Sequence, residues 1–204
     1  MNNTETRCYM FNKPQGCITA RRDARHKTVM EYFPLEIRDT FHPVGRLDKN
    51  TEGLLVITND GMLTKKLCDP QEGTKKQYFL WAIGEMTEEK IRRIEKGISI
   101  KHREEPCLEA EIKVKDRDFL YNIKGFFSEE HREKLMKNKN LPVFSCYITI
   151  TEGKKHQVKR MMKATGCTVV YLKRVKIGNL YLDEGLMPGE YREMTSDEIK
   201  ELEG

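Results

Sequence analysis

Asp48 is the first group in this chain whose setting suits chemistry. It lies in Val44-Gly45-Arg46-Leu47-Asp48-Lys49-Asn50-Thr51-Glu52-Gly53-Leu54-Leu55-Val56-Ile57, a loop carrying Gly, Arg and Asp that runs straight into an apolar strand pattern. Asn59-Asp60-Gly61, after Thr58, then forms a strong turn signal. The loop also imitates a calcium site, with Asp48, Asn50, Glu52 and Gly53 at the first, third, fifth and sixth places. The twelfth place holds Asn59 instead of a bidentate Glu, and no amphipathic helix precedes Asp48, so no metal is expected. The plainer alternative is a turn in which Asp48 caps backbone donors.

Two further segments carry usable groups. In Glu152-Gly153-Lys154-Lys155-His156-Gln157-Val158-Lys159-Arg160-Met161-Met162 a strand ends at Gly and a basic helix begins. Free N–H groups at such a helix start, beside Lys and Arg, suit a phosphate backbone. Helical spacing puts Val158, Met161 and Met162 on one face and Lys155, Lys159 and Lys163 on another. The alternative is a basic amphipathic helix with no ligand. In Lys76-Gln77-Tyr78-Phe79-Leu80, Tyr78 is either a structural strand aromatic or a ring that stacks on an unstacked base.

The elements that must hold these groups are mostly strands. Cys8–Asn12 and Cys17–Ala20 read as strands around the Lys13-Pro14-Gln15-Gly16 turn, and Thr28–Phe33 as a short helix stopped by Pro34. Gly53–Thr58, Gln77–Ile83, Val143–Thr151 and Thr168–Leu172 read as strands, and Leu108–Lys115 with Phe119–Ile123 as a hairpin. Helices are expected over Met62–Leu67, from the Thr87 cap to Lys96, over Ser128–Asn138, over His156–Thr165, and after the Thr195-Ser196-Asp197-Glu198 capping box. Strands outnumber helices and are hairpin-linked, which predicts an α+β fold with a mainly antiparallel sheet. One domain over 1–204 is expected, with subdomains of roughly 1–70 plus C-terminal elements and roughly 75–170.

Composition narrows the class. The chain has 204 residues, of which 38% are apolar and 34% charged, enough to bury a core and too apolar for disorder. The densest apolar run, Leu54–Ile57, is far below the roughly 20 residues of a membrane span. The first residues resemble neither a secretory nor a transit signal, so a cytoplasmic protein without a membrane partner is expected. The cysteines at 8, 17, 68, 107, 146 and 167 form no C-x-x-C pair and read as separate reduced thiols. From Gly153 to Leu182 eight Lys or Arg stand with no acid, a basic field that attracts phosphates.

Gly45-Arg46-Leu47-Asp48 with Thr51, Gly53-Leu54-Leu55 and Thr58-Asn59-Asp60-Gly61 resembles the catalytic motif of the pseudouridine synthases, in the branch typified by ribosomal small subunit pseudouridine synthase A. The resemblance continues through Asn12-Lys13-Pro14-x-Gly16, Lys76-x-Tyr78, Glu152-Gly153-Lys154-x-His156-Gln157-Val158-Lys159-Arg160-Met161, Arg174-Val175-x-Ile177-Gly178 and Pro188-Gly189-Glu190-Tyr191-Arg192, in the family's order. Three departures stand out. The N-terminal RNA-binding S4 domain of many members has no room here, Lys124–Leu141 looks like an insertion, and Lys159 stands where more distant families have Arg.

The resemblance implies a sheet bisected by an active-site cleft and flanked by helices. It also implies a cofactor-free isomerase that converts a uridine of ribosomal RNA, free or in an assembly intermediate, to pseudouridine, acting as a monomer. Asp48 would be the catalytic carboxylate, Lys159 the cation that keeps it ionised, and Tyr78 the ring stacked on the uracil with its hydroxyl near the proton carbon 5 must lose. Arg46 would hold the flipped-out nucleotide or occupy the gap it leaves, and Lys154, Lys155, His156, Gln157, Arg160, Lys173 and Arg174 would follow the RNA. The rival readings are a non-catalytic RNA-binding or ribosome-assembly protein on the same fold, and a base-removing hydrolase that would need paired carboxylates.

Overall fold

The computed structural model describes residues 6–100, 105–127, 132, 133, 135–138 and 140–202. The chain divides into two compact units, residues 1–76 with 174–204, and residues 77–173.

The first unit is built on β1 (Cys8–Lys13) and β3 (Glu52–Thr58), paired antiparallel from Cys8 opposite Thr58 to Lys13 opposite Gly53. Side chains alternate along a strand, and here both faces are covered. Cys8 and Met10 join Leu54, Val56, Leu63, Leu67, Ile177 and Leu202 in one core cluster. Tyr9 and Phe11 turn the other way, where Phe33, Phe41, Tyr32 and Tyr191 meet them at ring separations of 5.3–6.0 Å. Every residue of β1 is therefore buried, Lys13 included. β2 (His42–Pro43) pairs with β3, β8 (Leu180–Tyr181) is a further two-residue strand, and β9 (Tyr191–Glu193) closes the other edge of β1.

Helix Gly61–Cys68 follows β3 directly. The Asp60 carboxylate accepts from the N–H groups of Met62 (2.8 Å) and Leu63 (3.1 Å), and these bonds hold its pKa below the usual carboxylate range. Helix Ser196–Leu202 begins at the expected capping box, with Thr195 and Glu198 exchanging bonds of 2.9 and 3.2 Å.

The second unit contains β4 (Lys76–Ile83) from Gln77 onward, β5 (Glu111–Phe119), β6 (Pro142–Ile150) and the first six residues of β7 (Thr168–Ile177). Their order is β5-β6-β4-β7. Trp81, Leu120, Ile123, Phe127, Val143 and Tyr171 form a core cluster here, with Phe79 and Ile83 against it. Helix Glu88–Glu95 is capped by Thr87, and helix Gln157–Ala164 buries Val158, Met161 and Met162, the face its spacing predicts. The fold is α+β, and the β5–β6 pairing, like those of β1, is antiparallel.

Three local expectations are corrected. Cys17–Ala20 is no strand, and makes one isolated bridge, Ile18 to Thr28. Pro34 does not merely end the short helix, which is 3-10 over Val29–Tyr32: it stands at the N-cap of a second helix, Leu35–Thr40. The hairpin of Leu108–Lys115 with Phe119–Ile123 does not form. Glu111–Phe119 pairs instead with β6, and residues 120–126 are turns and one 3-10 turn. Ser128–Asn138 falls partly outside the described residues; within it Arg132, Glu133 and Leu135 are helical as expected, and Met136–Asn138 is 3-10.

Candidate active site

Asp48 is half-buried in the loop between β2 and β3, and Arg46 beside it is exposed. The loop opens at Gly45, whose φ of +68° is left-handed, and a Cβ there would lie 3.4 Å from the Cys68 sulfur. Val44 N–H bonds to the Val56 carbonyl (2.8 Å), Thr51 N–H to the Asp48 carbonyl (3.1 Å), and Gly16 N–H to the Lys49 carbonyl (2.9 Å).

Lys13, at the end of β1, is fully buried with its ammonium inside this loop. It donates to the carbonyls of Pro14 (2.9 Å), Asp48 (3.1 Å) and Thr51 (3.0 Å), with Lys49 at 3.5 Å. On the other side of Asp48, the Thr19 hydroxyl donates to the Leu47 carbonyl (2.8 Å) and accepts from the Leu47 N–H (3.1 Å). Sequence reading assigns no role to Lys13 and passes over Thr19. In the sequence Lys13 opens the Lys13-Pro14-Gln15-Gly16 turn, and a charged residue is almost never fully buried, so nothing local signals its burial.

Near the start of the loop, two cations stand beside the Cys68 thiol. Arg174 is buried, and its Nε donates to the Leu54 carbonyl at 2.8 Å. Burial, then the Arg174 charge, push the Lys76 ammonium below its ordinary value. Burial raises the Cys68 thiol, against the opposing pull of Lys76 and Arg174.

Tyr78 is buried at 9% exposure and Lys159 is half-buried, both in the second unit. Lys159 lies in the first turn of helix Gln157–Ala164, whose entry is constrained. His156 takes a left-handed φ of +53°, the single non-glycine residue to do so among those described. Gln157 is buried, its amide nitrogen donating to Glu152 (2.7 Å) and its amide oxygen accepting from the Lys154 N–H (2.8 Å). Glu152 also accepts from the Leu108 N–H at 2.9 Å. The Lys154 ammonium donates to the carbonyls of Glu105 (2.9 Å) and Pro106 (2.8 Å), and Arg160 to those of Ile100 (3.0 Å) and Lys155 (3.3 Å).

Of the residues expected along an RNA path, Arg46, Lys155 and His156 are exposed and Lys154, Arg160 and Lys173 half-buried. Gln157 and Arg174 are buried. Lys154, Gln157, Arg160 and Arg174 thus make bonds that build the protein's own loops and strands.

Residues 7–164 match the family model described as RNA pseudouridylate synthase. A Bacillus subtilis protein named RNA pseudouridine synthase YtzG is 40% identical over 193 residues, 93% of this chain and 70% of that protein. The Haemophilus influenzae ribosomal small subunit pseudouridine synthase A is 33% identical over 97% of this chain and 74% of its own. A solved crystal structure described as a pseudouridylate synthase superposes with a TM-score of 0.79 at 32% identity, covering 97% of this chain and 74% of that one. With more than half its length matched by the family model, and with relatives of this closeness, the chain belongs to the RNA pseudouridylate synthase family, isomerases that act on RNA.

Proposed function

We propose that the protein converts a uridine of ribosomal RNA to pseudouridine, in the cytoplasm, as a monomer and without a cofactor, with Asp48 as the catalytic carboxylate. The observation that carries this reading is the hydrogen-bonded loop around Asp48, set in the motif that resembles the family's catalytic one. Such a loop holds a carboxylate where a flexible turn would not, and positioning contributes much of an enzyme's rate. The ribosomal target is supported by the relatives named for the small subunit.

In the reaction the bond from uracil N1 to the ribose C1′ breaks and a bond from C5 to C1′ forms. C5 gives up its proton and N1 gains one, so RNA mass is unchanged. Asp48 serves this chemistry ionised, with Lys159 as its opposite charge. Tyr78 lays its ring on the uracil and brings its hydroxyl to the C5 proton. Arg46 holds the extruded nucleotide, whose unstacking costs a few kcal/mol that phosphate contacts offset. Lys155, His156 and Lys173 line the strand's path, with Lys154, Gln157, Arg160 and Arg174 shaping it.

The test is release of tritium from small- and large-subunit ribosomal RNA transcripts labelled at uridine C5, with Asp48→Asn as the comparison. Wild-type protein is expected to release tritium and leave RNA mass unchanged, and Asp48→Asn to release none while binding RNA nearly as well. Turnover by Asp48→Asn would refute the assignment, and loss of base mass would point to a hydrolase.

A further inference from the structure

Asp48 has a peptide plane on each side of its Cα, and both are tied down. The plane after it contains the Asp48 carbonyl, which accepts from Lys13 Nζ (3.1 Å) and Thr51 N–H (3.1 Å). The plane before it contains the Leu47 carbonyl, which accepts from the Thr19 hydroxyl at 2.8 Å. The same hydroxyl accepts from the Leu47 N–H at 3.1 Å, so one oxygen engages both backbone groups of the residue preceding Asp48. Peptide groups are rigid, so fixing the two planes fixes φ and ψ of Asp48 and the direction of its Cα–Cβ bond.

Thr19 is itself anchored. Its neighbour Ile18 donates to the Lys27 carbonyl (2.9 Å) and accepts from the Val29 N–H (3.0 Å), which closes the exposed 21–27 segment at its base. Thr28, opposite Ile18, opens the 3-10 turn Val29–Tyr32 in a capping box with Glu31, whose carboxylate accepts from the Thr28 N–H at 2.7 Å. Thr19 and Leu47 are both buried, at 8% and 5% exposure, so water does not readily replace the hydroxyl.

We infer that Thr19 is a positioning residue for the isomerisation: its hydroxyl sets the Leu47–Asp48 peptide plane, and with it the aim of the Asp48 carboxylate. The inference rests on Asp48 being the catalytic carboxylate. A threonine suits the place because its methyl group fills a buried position while its hydroxyl both donates and accepts. Valine keeps the shape and removes both bonds.

The experiment compares wild type, Thr19→Val, Thr19→Ser, Thr19→Cys and Asp48→Asn in single-turnover tritium release from the same transcripts. RNA affinity and amide exchange at Leu47 are measured alongside. Thr19→Val is expected to lose about 100-fold in rate, the scale of a misplaced catalytic group, with unchanged affinity and faster exchange at Leu47. Thr19→Ser restores rate and protection, and Thr19→Cys, a weaker donor, falls between.

A Thr19→Val protein at the wild-type rate, with Asp48→Asn inactive, overturns the inference and leaves the enzyme assignment standing. An active Asp48→Asn removes that assignment, and the inference falls with it. If Thr19→Val does not fold, the Ser and Cys variants decide: equal rates, or a Leu47 amide that exchanges freely in the wild type, overturn the proposal.

Discussion

Replacing Lys13 by Met tests how far the Asp48 loop depends on one buried charge. The substitution keeps most of the side chain's apolar length and removes an ammonium that donates to three carbonyls at 2.9–3.1 Å. Leaving a buried acceptor unpaired costs about 1–3 kcal/mol; the Asp48 carbonyl keeps the Thr51 N–H, so the Pro14 and Thr51 carbonyls set a gross loss of roughly 2–6 kcal/mol. Removing the ammonium also relieves its own burial, a penalty of several kcal/mol. The difference leaves a net destabilisation of about 1–3 kcal/mol, within the usual range of destabilising mutations. Urea unfolding gives that number from the shift in midpoint at constant m-value. Single-turnover tritium release at a temperature where the variant is folded should then show a slower rate, because the Asp48 carbonyl has lost one of its anchors. A Lys13→Met protein within about 0.5 kcal/mol of wild type, the scatter of an inconsequential surface change, and equally active would refute the reasoning.

Tyr78→Phe should lose far more rate than RNA affinity, whereas Tyr78→Leu should lose both, base stacking being worth about 1–3 kcal/mol; full single-turnover activity in Tyr78→Phe would exclude the hydroxyl from proton transfer. Changing Lys155 and Lys173 together to Gln should flatten the slope of log affinity against log salt by roughly 0.7 per lost contact. Lys154→Gln, whose ammonium is held by the Glu105 and Pro106 carbonyls, should change that slope less and lower the urea midpoint instead. Asp60→Ala should cost about 1 kcal/mol at neutral pH, the value of an N-cap. Because the folded Asp60 carboxyl is held low, this contribution is present above the unfolded pKa of about 3.9 and fades as pH falls through the folded value. Wild type and Asp60→Ala should therefore converge in urea midpoint in acid.

Local signals carried much of the fold. The caps at Thr87 and Thr195 are readable because a cap and its partners lie within three residues of one another, whereas Asp60 reads only as part of a turn. β3 and β6 were readable because apolar runs and alternation are properties of the strand alone. The hairpin at 108–123 was misassigned because Glu111–Phe119 is mostly exposed and pairs with a segment about thirty residues away, which no local pattern encodes. Helix Leu35–Thr40 was missed because a proline stops one helix and starts another equally well. Asp48 stood out as a carboxylate in a Gly-bounded loop. Lys13 and Thr19 did not, since their meaning lies in carbonyls 28 to 38 residues away in the sequence.

The first unit is written in two pieces, with residues 77–173 between them, and that order has a consequence during synthesis. A ribosome adding about 5–20 residues per second takes roughly 5–20 s to translate the intervening segment. Through that interval β1 and β3 are already made, while β9, the neighbour of β1, and core residues Ile177, Met194 and Leu202 do not yet exist. The nascent chain therefore carries its Asp48 loop on an unfinished scaffold with an open strand edge, the state in which a chaperone or wrong pairing has its opportunity. Completion of the scaffold under the Asp48 loop waits for residues 174–202, and a chain stalled before them would carry the family's motifs on an unfinished fold.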